Sequence, residues 1–100
     1  MVVMVSLLEI SIPVSSSLKD KRKVLQRLKM AVRNKFNVSI AETGLQDKWN
    51  VAEITLAMVA PDKNFAQKNF DAIIKITEER GEAEVIGISI SEYPIYDDHM

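Results

Sequence analysis

The chain contains no cysteine, which removes disulfides, thiolate nucleophiles and cysteine-ligated metal centres. Its single histidine, His99, stands second from the end, so almost every histidine-based catalytic or metal constellation is excluded as well. The three glycines, Gly44, Gly81 and Gly87, are too scattered to build a phosphate-binding loop. Long apolar runs are also missing. Met1 to Ile10 is interrupted by Glu9, has no basic flank and falls well short of the roughly 20 residues a membrane span needs. Together these absences predict a cytoplasmic protein with no catalytic residues, no cofactor and no metal site. The acidic pairs Glu78-Glu79 and Asp97-Asp98 read as solvated charge, and Asp97, Asp98 and His99 form too weak a set to predict a bound ion.

The chain's 100 residues suit one domain, and its apolar content of 47% is enough for one core. Val2 to Ile12 alternates with period two and is β-branched, which predicts a strand ended by Pro13. Ser17 is the expected N-cap of a helix from Leu18 to Phe36, with Asp20 three residues on. Leu18, Leu25, Leu28, Val32 and Phe36 form its apolar stripe. Val38 to Thr43 reads as a short strand, and Gly44, Gln46 and Asp47 as a turn into a longer strand, Trp49 to Ala60. Asp62 caps a second helix, Lys63 to Arg80, whose buried side is expected to include Phe65, Ala66, Phe70, Ile73, Ile74, Ile76 and Thr77. Gly81 suits the left-handed residue that follows a helix, and Glu84 to Glu92 is a last strand. The order β-α-β-β-α-β predicts an α+β, ferredoxin-like sandwich: one four-stranded antiparallel sheet with both helices on one face. The domain is expected over residues 1–92, with residues 93–100 as a tail.

The formal net charge of −1 hides a strong asymmetry. From Lys19 to Lys35 eight basic residues meet one acid, Asp20, for a local charge of +7, while the rest of the chain carries −8. On a helical wheel Lys19, Arg22, Lys23, Arg27, Lys29 and Arg33 share one arc of about 160° that holds no acid. Lys21 and Lys35 lie in or beside the apolar arc and are expected to snorkel. Like charges four residues apart destabilise a helix slightly, so an unopposed basic stripe points to an anionic partner. The alternative is internal neutralisation by Asp71, Glu78, Glu79, Glu82 and Glu84 from the second helix and its exit. A membrane is excluded as the partner because the outer arc has no Leu, Phe or Trp to insert. Ser15, Ser16 and Ser17 at the helix start read either as plain capping or as a phosphate cradle.

The sheet face away from the helices is expected to present Val3, Val5, Leu7, Trp49, Val51 and Val59, with Ala57 and Val85 beside them. Glu9 and Glu53 intrude, and a lone tryptophan is not a base-stacking platform, so this face predicts self-association, or coverage by the tail residues Tyr93, Ile95 and Tyr96, rather than RNA binding. A symmetric dimer is the commonest outcome for such a patch.

Two stretches carry a family resemblance. Ser17-Leu18-Lys19-Asp20-Lys21-Arg22-Lys23-Val24-Leu25 resembles the S-L-K-x-K-R-x-x-L element of the YlxP-like family. Lys35-Phe36-Asn37-Val38-Ser39-Ile40-Ala41-Glu42, followed by Gln46-Asp47-Lys48-Trp49, resembles its F-N-V-S-V-A-E-x-x-x-Q-D-x-W element. The resemblance implies a small bacterial ferredoxin-like protein, encoded near genes for translation initiation and ribosome maturation, with no catalytic residues to carry over. From the basic arc, the leading expectation is a non-enzymatic accessory protein that contacts structured RNA or a ribosomal subunit through the first helix. The alternative is a protein-interaction or regulatory homodimer assembled through the open sheet face.

Overall fold

The computed structural model describes residues 1–96. Strand β1 spans Val2–Ser11, helix α1 Leu18–Lys35, β2 Ser39–Gly44, β3 Val51–Ala60, helix α2 Lys63–Glu79 and β4 Glu84–Pro94. The strands form one sheet in the order β2-β3-β1-β4, with every neighbouring pair antiparallel. This is the ferredoxin-like sandwich that the element order predicts.

Strand alternation decides which face meets the helices. Val2, Met4, Ser6, Leu8 and Ile10 of β1 are buried, as are Ala52, Ile54, Leu56, Met58 and Ala60 of β3. Val24, Leu25, Leu28 and Val32 from α1 and Ala66, Phe70 and Ile73 from α2 close over them into one core. Both helices start on a side-chain cap. The Ser17 hydroxyl accepts the Asp20 N–H, and the Asp62 carboxylate accepts the Phe65 N–H. Gly81 takes φ +76° just past α2 and donates its N–H to Glu78 O, as expected of a helix terminator. Among the described residues no helix is long and apolar enough to cross a membrane.

Several boundaries differ from expectation. β3 begins at Val51, so Trp49 lies in the β2–β3 connection rather than in the strand. Leu18 and Phe65 are more than two-fifths exposed because each sits at a helix start, beyond the reach of the sheet. Lys21 does not snorkel: it is buried, because its ammonium is held by carbonyls of the β2–β3 turn. Val85 does not belong to the open face; a register shift between Glu9 and Ile10 turns it toward the core, where it packs. β4 also continues past Glu92. Tyr93 and Pro94 pair with Val3 and Val2, and Ile95 N–H donates to Met1 O, so the domain extends beyond residue 92. Asp97, Asp98 and His99 lie outside the described residues.

One core group lacks a partner. Ser6 is 1% exposed at the middle of β1, and its hydroxyl makes no hydrogen bond. A buried, unsatisfied hydroxyl costs about 1–3 kcal/mol. Ser6→Ala removes that group without adding volume, and we expect it to stabilise the fold by about 1 kcal/mol. The check is a higher denaturant midpoint with an unchanged m-value.

Candidate nucleic-acid interface

The first turn of α1 is built by its own side chains. The Asp20 carboxylate accepts both the Ser16 hydroxyl, at 2.8 Å, and the Ser16 N–H, at 3.1 Å. These hydrogen bonds, aided by Lys23, hold the Asp20 carboxyl below its usual range. Ser15 is 2% exposed, and its hydroxyl hydrogen is shared between the carbonyls of Ser17 and Trp49. All three serines are thus engaged at the helix start. Asp20 occupies the place an anion would take, so the capping reading holds and the cradle reading does not.

Lys21 explains why α1 sits where it does. It falls one turn before Leu25 on the apolar stripe and is 2% exposed. Its ammonium donates to the carbonyls of Leu45 and Lys48, each at 2.7 Å. Glu42 Oε2 lies 2.9 Å away as an ion pair, without a regular hydrogen bond of its own. The two carbonyls belong to the β2–β3 turn, which Lys48 N–H closes on Leu45 O. Within it Leu45 adopts φ +56°, an unusual conformation for a residue with a branched side chain. A buried cation surrounded by carbonyls offsets that strain and ties the turn to the helix. With Ser15, which binds Trp49 O, it joins the two stretches that carry the family resemblance. Sequence reasoning missed this pin. The available signal was a lysine inside an apolar stripe, with Glu42 in the neighbouring strand.

Anchored in this way, α1 turns its basic arc outward. Lys19, Arg22, Lys23, Arg27 and Arg33 are exposed, and Lys29 is partly so. Arg27 pairs with Glu82, which also lies 3.9 Å from Arg80. Hydrogen bonding from Arg27 pulls the Glu82 carboxyl below its usual range and raises the Arg27 guanidinium above its own. Arg33 donates to Ile40 O at 3.1 Å. Among the described residues, no carboxylate lies within ion-pair distance of Lys19, Arg22, Lys23 or Lys29. The acids expected to neutralise the stripe are mostly used elsewhere. Asp71 accepts from Gln67, Glu78 accepts the Val85 N–H, and Glu79 faces Lys75. Among the described residues only Glu82 reaches across, to Arg27.

The open sheet face has two unlike ends. At one end Val3 and Val5 are half-buried and Val59 is 67% exposed, with half-buried Leu7 next along, whereas half-buried Val51, opposite Ser11, lies past the glutamates. At the other end Glu9 stands directly opposite Glu53, and both strands carry a glycine neighbour, Gly87 and Gly44. Like charges placed opposite each other destabilise a sheet. Trp49 is 48% exposed in the preceding connection. Among the described residues no group of His, Asp or Glu side chains is arranged to hold a metal ion.

Comparison with known proteins gives a family and a fold. The family described as a protein of unknown function, DUF503, matches residues 3–90. The chain is 37% identical over 70 residues to the uncharacterized protein YlxP of Bacillus subtilis (strain 168), covering 70% of this chain and 76% of that one. Among solved structures it is similar to a de novo designed protein with ferredoxin fold, at 16% identity and TM-score 0.55, with 100% of this chain and 97% of that one covered. A second designed protein, Foldit4, gives 13% identity and TM-score 0.53 over 96% of this chain and 100% of that one.

Two outcomes follow from the electrostatics. Lys21→Met strands Glu42 and leaves the Lys48 carbonyl without a donor, so a loss of about 2–3 kcal/mol is expected in chemical denaturation, whereas Arg22→Gln stays within about 0.5 kcal/mol of wild type. The Glu82–Arg27 pair stabilises fully above the ordinary glutamate range, because the folded carboxyl is lowered. Its contribution, small for a solvent-screened pair, disappears as pH falls through the lowered value. Glu82→Gln should therefore flatten that part of the acid stability profile, and an unchanged slope counts against the assignment.

Proposed function

Because the chain belongs to the DUF503 family, of unknown function, its own surface carries the argument, and we propose that it is a non-enzymatic cytoplasmic protein that binds structured RNA, such as that of a ribosomal subunit, through α1. One observation carries this reading: four cations on one helix face have no carboxylate within ion-pair distance among the described residues, in a chain whose net charge is −1. A helix that only needed a solvated face would gain from interspersed acids. Lys19 to Lys29 spans about 15 Å of helix, a rigid cationic ridge held by the Lys21 pin. Arg27 and Arg33 are partly committed within the molecule, so Lys19, Arg22, Lys23 and Lys29 make the phosphate contacts.

A second reading has its own support. The apolar end of the open sheet face, with Val59 67% exposed, suits a regulatory homodimer joined face to face, with no nucleic-acid role. Against it stand Glu9 and Glu53, opposed on the same face, which such a contact would bring toward low dielectric.

About four phosphate contacts predict a salt slope near −3, and a roughly fifty- to hundredfold loss of affinity between about 50 and about 200 mM salt. Fluorescence anisotropy with labelled ribosomal RNA measures this directly. Replacing Lys19, Arg22, Lys23 and Lys29 by Gln should remove the salt-dependent binding while the circular dichroism spectrum stays unchanged. Equal affinity of that variant and the wild type would rule out α1 as the RNA surface.

A further inference from the structure

β4 is a strand without a core. It pairs with β1 along its whole length, yet none of its eleven residues is buried. Ile88 and Ile90 stand opposite Leu8 and Ser6, so they lie on the helix-side face, but they remain 52% and 42% exposed. Ile86, at the register shift, is 54% exposed. The other edge of the sheet is better defended: β2 has only six residues, and Glu42 sits within it. Natural sheet edges are usually guarded by charges, prolines, bulges or short length. On β4 those devices stand only at the ends, as Glu84, the register shift, Glu92 and Pro94. The seven residues from Val85 to Ser91 carry no charge at all.

We propose that β4 is the strand through which two copies of this chain join, edge to edge, into one eight-stranded antiparallel sheet. The inference is independent of RNA binding and uses a different surface from the face-to-face dimer. Three features of the strand select a second copy as its occupant. Ser89 is the midpoint of Glu84–Pro94, so a two-fold axis there lets the full strand pair with its own copy. In that register Ile88 faces Ile90 of the other copy, and Ile90 faces Ile88, on the helix side of both sheets. Such opposed β-branched pairs are what stabilise a sheet. The same register keeps like charges apart, because Glu84 falls opposite Pro94 and Glu92 opposite Ile86. Moving the axis to Ile88 would set Glu84 against Glu92, and moving it to Ile90 would set Ile88 against Glu92. The strand is therefore complementary to itself in one alignment. It carries no cation for a polyanion.

The test is a charge swap read by sedimentation equilibrium. The wild type is expected to be a concentration-dependent dimer in the micromolar range. Ile88→Lys/Ile90→Lys sets lysine against lysine and should weaken the dimer roughly a hundredfold or more, as should Ile88→Glu/Ile90→Glu. Both positions are already solvent-exposed in the single chain, so folding is checked simply by circular dichroism. Mixing the two variants should restore a dimer of one copy of each, whereas Val59→Lys should leave the wild-type dimer intact. A wild type that stays monomeric across that range overturns the proposal. So does a dimer that survives the β4 substitutions but is lost with Val59→Lys, which assigns the contact to the open face instead. Failure of the mixed variants to pair excludes the Ser89-centred register.

Discussion

A single ammonium group sets the geometry on which the remaining surface depends. Lys21 Nζ holds two carbonyls of the β2–β3 turn and a glutamate at once, inside the first turn of α1. A helix grips a sheet through apolar side chains, which fix distance but leave some freedom to slide and rotate. The hydrogen-bonded cation removes that freedom. It sets the rotation of α1 about its axis, and hence which side chains point to water. The outward direction of the basic arc is thus a consequence of one inward-pointing lysine. The strained Leu45 backbone belongs to the same arrangement, since its carbonyl is one of the two acceptors.

Much of the fold was legible because period-two and helical patterns are strong in this chain. β1, β3 and both helices are amphipathic over long stretches, and Ser17, Asp62 and Gly81 mark boundaries by local chemistry. What escaped were features set by pairing. The end of β4 depends on how far Met1 to Val3 extend alongside it, and residues 93–95 alone carry no strand pattern. Val85 changes face because of a register shift, which no alternation rule anticipates. The burial of Lys21 requires the turn carbonyls that receive it. At the candidate interface the six cations could be placed on one arc, but their division into paired and unpaired members rests on where Glu82 and Ile40 fall in space.

The three surfaces of the molecule differ in what they ask of a partner. The α1 face is cationic and rigid. The open sheet face joins an apolar end to an opposed glutamate pair, which penalises any close cover over its full extent. The β4 edge offers backbone groups and isoleucines without charge. Because α1 packs near β2, and β4 is the far strand of the sheet, the cationic face and the uncharged edge lie on opposite flanks. Occupation of one leaves the other open.

The segregation of +7 onto one helix in a molecule of near-zero total charge has a dynamical result. A uniform electric field exerts little net pull on such a body, but it does exert a torque. The protein is an electric dipole: far from a polyanion it drifts freely, and within about a Debye length, roughly 8–10 Å at ordinary ionic strength, it is rotated until α1 leads. Encounter is then governed by reorientation at short range rather than by long-range capture.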